Sequence, residues 1–416
     1  MELRPTKQQL DFLDWEFGVF FHFGIRSFYP GHRDWDGIEM PPEGFCPKEL
    51  DCGQWVRAAR DAGAKYAILT AKHHDGFALW PSRYSRYSVA DTPWRDGKGD
   101  VVGEFIDACR HYGLKAGLYY SPAQWGSRSI SFDQPKAYDD YFISQITELL
   151  TNYGKIDYLW FDGCGSEGHE YDKTRIVSEI RRMQPDILTF CDPEWTPGVR
   201  WIGNEDGYAS LRNPLVVSGW DYSELSEGEQ ALSRPMFLPS ECDAKIRDTW
   251  FFDQNEQTIK SLEELWGMYL SSVGRGSNFL LNIGPDDRGL LPEADVRRLG
   301  ELGDRIRSAF SRPVLCDAKT EGDMLTITPR TPTLCSCVVL REDIAEGQGI
   351  EDFEIWGYLP VYWTKKVLLY CGKTVGHKVI CCFPALRASK LEIRFGHRRP
   401  YRLRDAIVYE PAESNF

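Results

Sequence analysis

The sequence predicts an α/β protein: a (β/α)8-type barrel followed by an antiparallel β-sandwich. Three observations carry that reading. Short apolar stretches alternate with amphipathic ones from residue 17 to about 285. No glycine-rich nucleotide loop follows any of them, neither G-x-G-x-x-G nor G-x-x-x-x-G-K-[ST]. After Ser311-Arg312-Pro313 the pattern changes to short β-type segments separated by turn residues. Near-continuous apolar strands alternating with helices signal a parallel sheet, and without a nucleotide loop a closed barrel is favoured over an open doubly wound sheet. A barrel takes about 250 residues or more, so a 416-residue chain has room for a second module. The expected division is a catalytic barrel over 1–312 and a sandwich over 313–416.

The barrel strands are expected at Phe17–Phe23, Lys65–Thr70, Lys115–Tyr120, Tyr158–Phe161, Asp186–Phe190, Arg200–Gly203 and Asn278–Ile283. Between them run GQWVRAARDAG, VVGEFIDACRHYG, YDDYFISQITELLTNYG, KTRIVSEIRRMQ and TIKSLEELWGMYLSSVG, and DVRRLGELGDRIRSAF ends the series. Several close on Gly, as helix C-termini often do. The sandwich strands are expected in DMLTITPR, LCSCVVLRED, FEIWGYLP, KKVLLYCG, HKVICCFP, KLEIRFG and RDAIVYEP.

A formal net charge of -13 argues against a large nucleic-acid or anionic-membrane footprint. No apolar run approaches the roughly 20 residues needed to span a bilayer. The N-terminal stretch lacks the basic start, apolar core and cleavage site of a leader, so a cytoplasmic, soluble location is expected. None of the 12 cysteines forms a CxxC pair, and reduced thiols are the default.

Unusual polar residues collect where predicted strands end, which in such barrels is the active face. His22 ends the first strand, His73-His74-Asp75 follow the second, and Tyr119 and Tyr120 end the third. Asp162 ends YLWFD and Glu205 ends RWIGNE. Asp162 stands beside Trp160 and Phe161. Such an apolar setting raises a carboxyl pKa unless hydrogen bonds or cations compensate, which nearby imidazoles can do. The structural alternative for Asp162 is a helix N-cap. A pair of carboxylates among aromatics and imidazoles suits glycoside hydrolysis, with one attacking the anomeric carbon and the other protonating the leaving oxygen. A metal at His73-His74 is disfavoured, because adjacent side chains on an extended segment point apart and no HxH or HExxH companion exists. Trp35, Trp80, Trp160 and Trp250 offer flat faces for sugar C–H groups, with core packing as the alternative.

FGVFFHFG, Asp34-Trp35, KYAILTAKHHDGFALWPS, GKGDVVGEF, GLKAGLYYSP, YLWFDG, RWIGNE and NFLLNIGP resemble, in order from about residue 8 to 310, the α-L-fucosidases of glycoside hydrolase family 29. PSECDAKIRDTWFF and RWIGNE look closer to its subfamily acting on α-1,3/1,4-branched fucosides. The resemblance implies a retaining exo-α-L-fucosidase acting on fucosylated, Lewis-type oligosaccharides or glycoconjugates, without cofactor or metal. It implies Asp162 as nucleophile and Glu205 as acid/base, with Glu241 as a supporting glutamate and the runner-up acid. His22, His73, His74 and Tyr119 would bind fucose hydroxyls. Asp34-Trp35 falls on a family Glu-Trp pair, and Phe20, Trp160 and Trp250 would contact the ring or methyl group. Asp34 is one methylene shorter than the usual Glu, and Thr249-Trp250-Phe251-Phe252 after Asp248 replaces a Pro-Gly-Trp-Phe loop. The alternatives are an α-L-fucosidase of broader linkage tolerance and a non-catalytic fucose-binding protein.

Overall fold

The computed structural model describes residues 3–29, 31, 36–125, 130–166, 168–190, 198–221, 229–360 and 365–412. Helix α1 (Lys7–Trp15) comes first, opened by a reciprocal cap between Thr6 and Gln9. Four regular strand–helix units follow: β1 (Phe17–Phe21) and α2 (Cys52–Asp61), β2 (Tyr66–Lys72) and α3 (Val101–Tyr112), β3 (Lys115–Tyr120) and α4 (Pro135–Asn152), β4 (Tyr158–Phe161) and α5 (Lys173–Met183). The next part is irregular. It runs through β5 (Leu188–Phe190), the two-residue β6 (Arg200–Trp201), an antiparallel hairpin of β7 (Val216–Trp220) and β8 (Gln230–Phe237), and β9 (Ser240–Lys245). Then α6 (Leu262–Ser272), β10 (Asn278–Asn282) and α7 (Glu293–Ala309) complete the barrel.

Eight parallel strands pair in the order β5-β4-β3-β2-β1-β10-β9-β6. A parallel bridge between Phe190 and Val199 joins the two ends of that order. There the Val199 N–H donates to the Thr189 carbonyl at 3.0 Å. Period-two alternation sorts the side chains. Val19, Phe21, Leu69, Leu118, Phe161 and Leu281 turn outward into the layer shared with the helices. Phe20, Tyr66, Tyr119, Tyr158, Trp160, Phe190 and Leu280 fill the interior, with Phe12 of α1 packed against Tyr66 and Tyr158. Gly18 is required there: a Cβ on it would come within 2.4 Å of the Tyr66 ring.

The second module holds β11 (Cys316–Glu321), β12 (Met324–Pro329), β13 (Thr333–Glu342), β14 (Ile350–Tyr358), β15 (Lys366–Gly372), β16 (Val379–Ala388), β17 (Lys390–His397) and β18 (Leu403–Tyr409). A five-stranded sheet, β11-β12-β17-β14-β15, faces a three-stranded one, β16-β13-β18. The smaller sheet packs on both sides. Val338, Leu340 and Cys381 enter the sandwich core, while Cys337, Val339, Ile380 and Tyr409 pack with the barrel's outer layer.

The expected strands all have counterparts, but five further helices and strands escaped the pattern: α1, the hairpin strands β7 and β8, β9 and β11. β11 is an almost wholly exposed strand reading CDAKTE, so it carries no apolar alternation. β9 reads SECDAK, and its buried acidic residues hide a strand from any hydrophobicity pattern.

Candidate active site

Strand ends of the regular wall place the first group of residues at the C-terminal mouth of the barrel. Asp162 follows β4 in the same inward phase as Tyr158 and Trp160. The Tyr119 hydroxyl donates to its Oδ2 at 2.9 Å, and the Cys164 N–H donates to Oδ1 at 2.9 Å. His74 Nε2 stands 3.4 Å from Oδ2. Burial pushes the Asp162 carboxyl up, but the His74 charge and these hydrogen bonds outweigh it and hold the group at about 2. Helix α5 takes its N-cap from Asp172, so Asp162 has no capping role.

His74 is the cation that the sequence left unassigned among the imidazoles. The Ser121 hydroxyl gives its proton to the Ala123 carbonyl at 2.7 Å, so it accepts from His74 Nδ1–H at 2.6 Å. With Nδ1 protonated and Nε2 facing a carboxylate, the ring is an imidazolium. Burial pulls its pKa down, yet the Asp162 charge and hydrogen bond lift it to about 10. The His73 and His74 rings lie 4.3 Å apart rather than on opposite sides. The chain turns as it leaves β2, with the Gly76 N–H bonded to the His73 carbonyl at 3.0 Å, so the extended-segment argument does not apply. A ring with both nitrogens protonated is no metal ligand.

His22 is the opposite case. Asn282 Nδ2 donates to the Trp250 carbonyl at 2.7 Å, which turns Oδ1 toward His22 Nδ1 at 2.7 Å. That fixes the proton on Nδ1 and leaves Nε2 as an acceptor. Burial drives the His22 pKa down to about 3, so the ring is neutral. Burial likewise pulls His73 well below the ordinary histidine range. Its ring stacks on Tyr119 at 5.4 Å, Tyr119 on Trp160 at 5.3 Å, and Trp160 on Phe190 at 4.1 Å. Phe20 packs against His22, Tyr119 and Trp160. This aromatic pillar gives Asp162 a rigid backing.

The irregular wall supplies the rest. Glu205 lies beyond β6, about a third exposed, and its Oε2 is paired with Lys245 Nζ at the end of β9. Lys245 Nζ also lies 4.7 Å over the Trp250 ring, which is 4.7 Å from the His22 ring. These contacts join Glu205 to the same mouth as Asp162. Asp243, between Glu241 and Lys245 on the inward face of β9, accepts from Trp201 Nε1 at 2.7 Å. Burial, with Glu205 nearby, pushes the Asp243 carboxyl well up.

Glu241 has no exposed surface. Tyr66 donates to its Oε2 at 2.5 Å, and Tyr158 and Trp160 donate to Oε1 at 3.1 and 3.0 Å. It stands behind the Trp160 ring and steadies it, which is a supporting position rather than that of an acid facing a substrate. Burial outweighs the three donors and raises its pKa to about 7. Trp80 belongs to the outer core, its Nε1 bonded to Glu148 at 2.9 Å, and Tyr120 turns outward to Gln145. Asp34 and Trp35 lie outside the described residues.

Ser121, Trp125, Trp201, Asp243, Lys245 and Asn282 were not singled out from sequence. Trp125 caps the mouth beside His74, with ring centroids 5.2 Å apart. Asn282 had a usable signal: it closes NFLLN in the inward phase, at a strand end. Lys245 and Asp243 had none, because their strand was not recognisable.

A parallel barrel with an ionised carboxylate among imidazoles and aromatic faces at its mouth, and a second carboxylate on another wall, has the arrangement of a barrel glycoside hydrolase. The alpha-L-fucosidase family model matches residues 38–308. Alpha-L-fucosidase 1 of Arabidopsis thaliana is 38% identical over 317 residues, covering 74% of this chain and 61% of the relative. A solved glycoside hydrolase 29 family member from a rumen bacterium superposes with a TM-score of 0.88 at 32% identity, covering 100% of this chain and 78% of the other. A Ruminococcus gnavus GH29 fucosidase solved in complex with fucose gives 0.86 at 26% identity, covering 99% and 96%. The chain therefore belongs to the α-L-fucosidase family, glycoside hydrolase family 29. It spans about three-fifths of the length of the plant relatives it matches, 61% in each of two cases.

Proposed function

We propose that this chain is a retaining exo-α-L-fucosidase, with Asp162 as nucleophile and Glu205 as acid/base. The observation that carries the reading is the Asp162–His74 pair: a carboxylate in an aromatic setting is kept ionised at about 2 by an imidazolium. A nucleophile has to be charged before substrate arrives, and this one is.

In the first step an Asp162 oxygen bonds to C1 of a terminal α-L-fucosyl unit as the C1–O bond to the leaving group breaks. Glu205 passes its proton to the departing oxygen. In the second step Glu205 takes a proton from water, the water oxygen bonds to C1, and the ester to Asp162 breaks, so configuration is retained. For the first step Glu205 has to carry a proton, which means its ion pair with Lys245 opens. The Trp250 face, 4.7 Å from Lys245 Nζ, offers the ammonium a second resting place. His22 Nε2 accepts from one fucose hydroxyl. His73 serves another, and the Phe20, Trp160 and Trp250 surfaces receive the C–H groups and the methyl.

The preference for α-1,3/1,4-linked fucose in Lewis-type branches is part of the same proposal, supported by the RWIGNE and PSECDAKIRDTWFF motifs. Hydrolysis across linkage-defined fucosides tests it; equal rates on α-1,2 and α-1,6 isomers would overturn the preference and leave a broadly tolerant fucosidase. NMR of the first-formed sugar tests the stereochemistry, and initial β-fucose would sink retention. Asp162→Gly is expected to lose activity by about four orders of magnitude and to recover with azide, yielding β-fucosyl azide. Absence of both turnover and rescue with every fucoside, in a protein that still binds fucose, would favour the binding-protein reading.

A further inference from the structure

Outside the barrel mouth, the three-stranded sheet carries a chemically distinct pair. β13 and β16 run antiparallel, and their register sets Cys337 directly opposite Cys382. Opposed residues share a face and have Cα atoms about 4.5 or 5.5 Å apart, according to the type of pair. Both values fall within the range of about 4.4–6.8 Å that a disulfide bridges. Both residues are free thiols.

The shared face is the one turned toward the barrel. Cys337 and Cys382 line a cleft of about 220 Å³ between the sheet and helices α6 and α7, together with Trp266, Arg305 and Phe310. Cys337 is 6% exposed, whereas Cys382 is open to solvent. A reagent therefore reaches one sulfur directly and the other only through it. The Cys337 thiol leans on the Cys382 sulfur. That contact raises the Cys337 pKa and lowers that of Cys382, with Arg305 lowering Cys382 further. An accessible sulfur that is the better thiolate, backed by a buried protonated one, is the division of labour that thiol–disulfide exchange requires.

We propose that Cys337 and Cys382 form a modification site, a dithiol that reacts with a low-molecular-weight disulfide and closes to a cross-strand bond. The Cys382 thiolate attacks one sulfur of R–S–S–R; that bond breaks and RS⁻ leaves, taking up a proton as RSH. Cys337 then gives up its proton, its sulfur attacks Cys382 in the mixed disulfide, and a second RSH is released. The protein loses two electrons and two protons, and the small disulfide gains them. Among the described residues, the other exposed thiols serve as internal controls. Cys371 sits opposite Glu354, and Cys164 lies in the loop after β4, so neither has a cross-strand thiol partner.

The test uses the full chain incubated with oxidised glutathione under native conditions, quenched with acid, alkylated and mapped by mass spectrometry. The expected product is one cross-linked peptide pair containing Cys337 and Cys382, unalkylated at both and lighter by about 2 Da than the two reduced peptides together, the loss of two hydrogens. Cys337→Ser is expected to stop at a glutathione adduct on Cys382, and Cys382→Ser to leave Cys337 reduced. A stable glutathione adduct on Cys382 of the unaltered chain, with Cys337 still reduced, would overturn the proposal. So would a Cys382 that stays unmodified while Cys371 is labelled. Both readouts come from the unaltered protein, so a variant that fails to fold does not blunt them.

Discussion

The two walls of the barrel mouth hold their carboxylates in different ways. On the regular wall, β3 and β4 are each followed by a helix and their inward rings stack into a pillar. Asp162 is fixed there by a tyrosine hydroxyl, a backbone N–H and an imidazolium. On the irregular wall, Glu205 lies past a two-residue strand, about a third exposed and in an ion pair with Lys245. The difference follows the chemistry proposed for each. A nucleophile performs best with one charge state and one position, because pre-organised donors cost nothing when the reaction occurs. An acid/base group has to gain and lose a proton in every turnover, and a partly exposed position beside an exchangeable ion pair suits that task.

The largest expected effects break the comparison outright. Glu205→Ala is expected to lower kcat/KM on a branched oligosaccharide by about 10²–10⁴-fold. The loss should be much smaller on an aryl fucoside whose leaving group needs little protonation. Equal losses on both would remove Glu205 from the acid role. His74→Ala comes next, with activity expected to fall by about 10²-fold. It removes the charge that offsets burial at Asp162, so the acid limb of the pH–rate profile should move to higher pH. An unmoved limb would show that the imidazolium does not set the nucleophile's charge.

The same pair makes a stability statement with a definite sign. Asp162 is depressed to about 2, so its contribution is present above its ordinary value near 3.8 and is lost as pH falls through about 2. His74 is raised to about 10, so its contribution is complete below its ordinary value of 6.5 and is lost as pH rises through about 10. Both are complete only between about 4 and 6.5, and they are two readings of one interaction rather than two energies to be added.

A smaller effect is expected behind the regular wall. Glu241→Gln turns one acceptor oxygen into an N–H₂ group facing hydroxyl or indole donors, at a cost of about 1–3 kcal/mol in unfolding free energy. The native Glu241 carboxyl is raised from 4.5 to about 7, so its contribution is full below 4.5 and declines as pH rises through 7. The gap between the variant and the native protein in urea melts should therefore narrow across that interval. Azide should rescue nothing. Rescue would make Glu241 a catalytic group and contradict its burial.

These residues also mark what a sequence reveals. Asp162 was legible because β4 is an apolar run with a single inward carboxylate at its end, and period-two spacing put it in phase with Trp160. The regular wall and the sandwich strands other than β11 were legible from the same apolar patterning. β9 was not: its inward residues are Glu241, Asp243 and Lys245, whose partners lie far away in the chain. Hydrogen bonds between distant residues leave no local pattern. So the lysine that pairs with Glu205 stayed hidden while the carboxylate itself was found.

Lys245→Met gives the smallest expected effect and sharpens the comparison most. The thioether keeps the length of the side chain and its contact with Trp250, and removes only the charge. An ion pair with both partners 20–32% exposed contributes on the order of 1 kcal/mol or less. The rate at the optimum should therefore change by no more than about fivefold. The informative readout is the alkaline limb of kcat/KM, which reports loss of the proton from the acid. Without an ammonium alongside, Glu205 should hold its proton to higher pH, moving that limb upward by less than about one unit while the acid limb, set by Asp162 and His74, stays in place. Movement of both limbs together would mean that the two walls are electrostatically one site. Movement of the alkaline limb alone would show that the irregular wall tunes its carboxylate independently of the nucleophile.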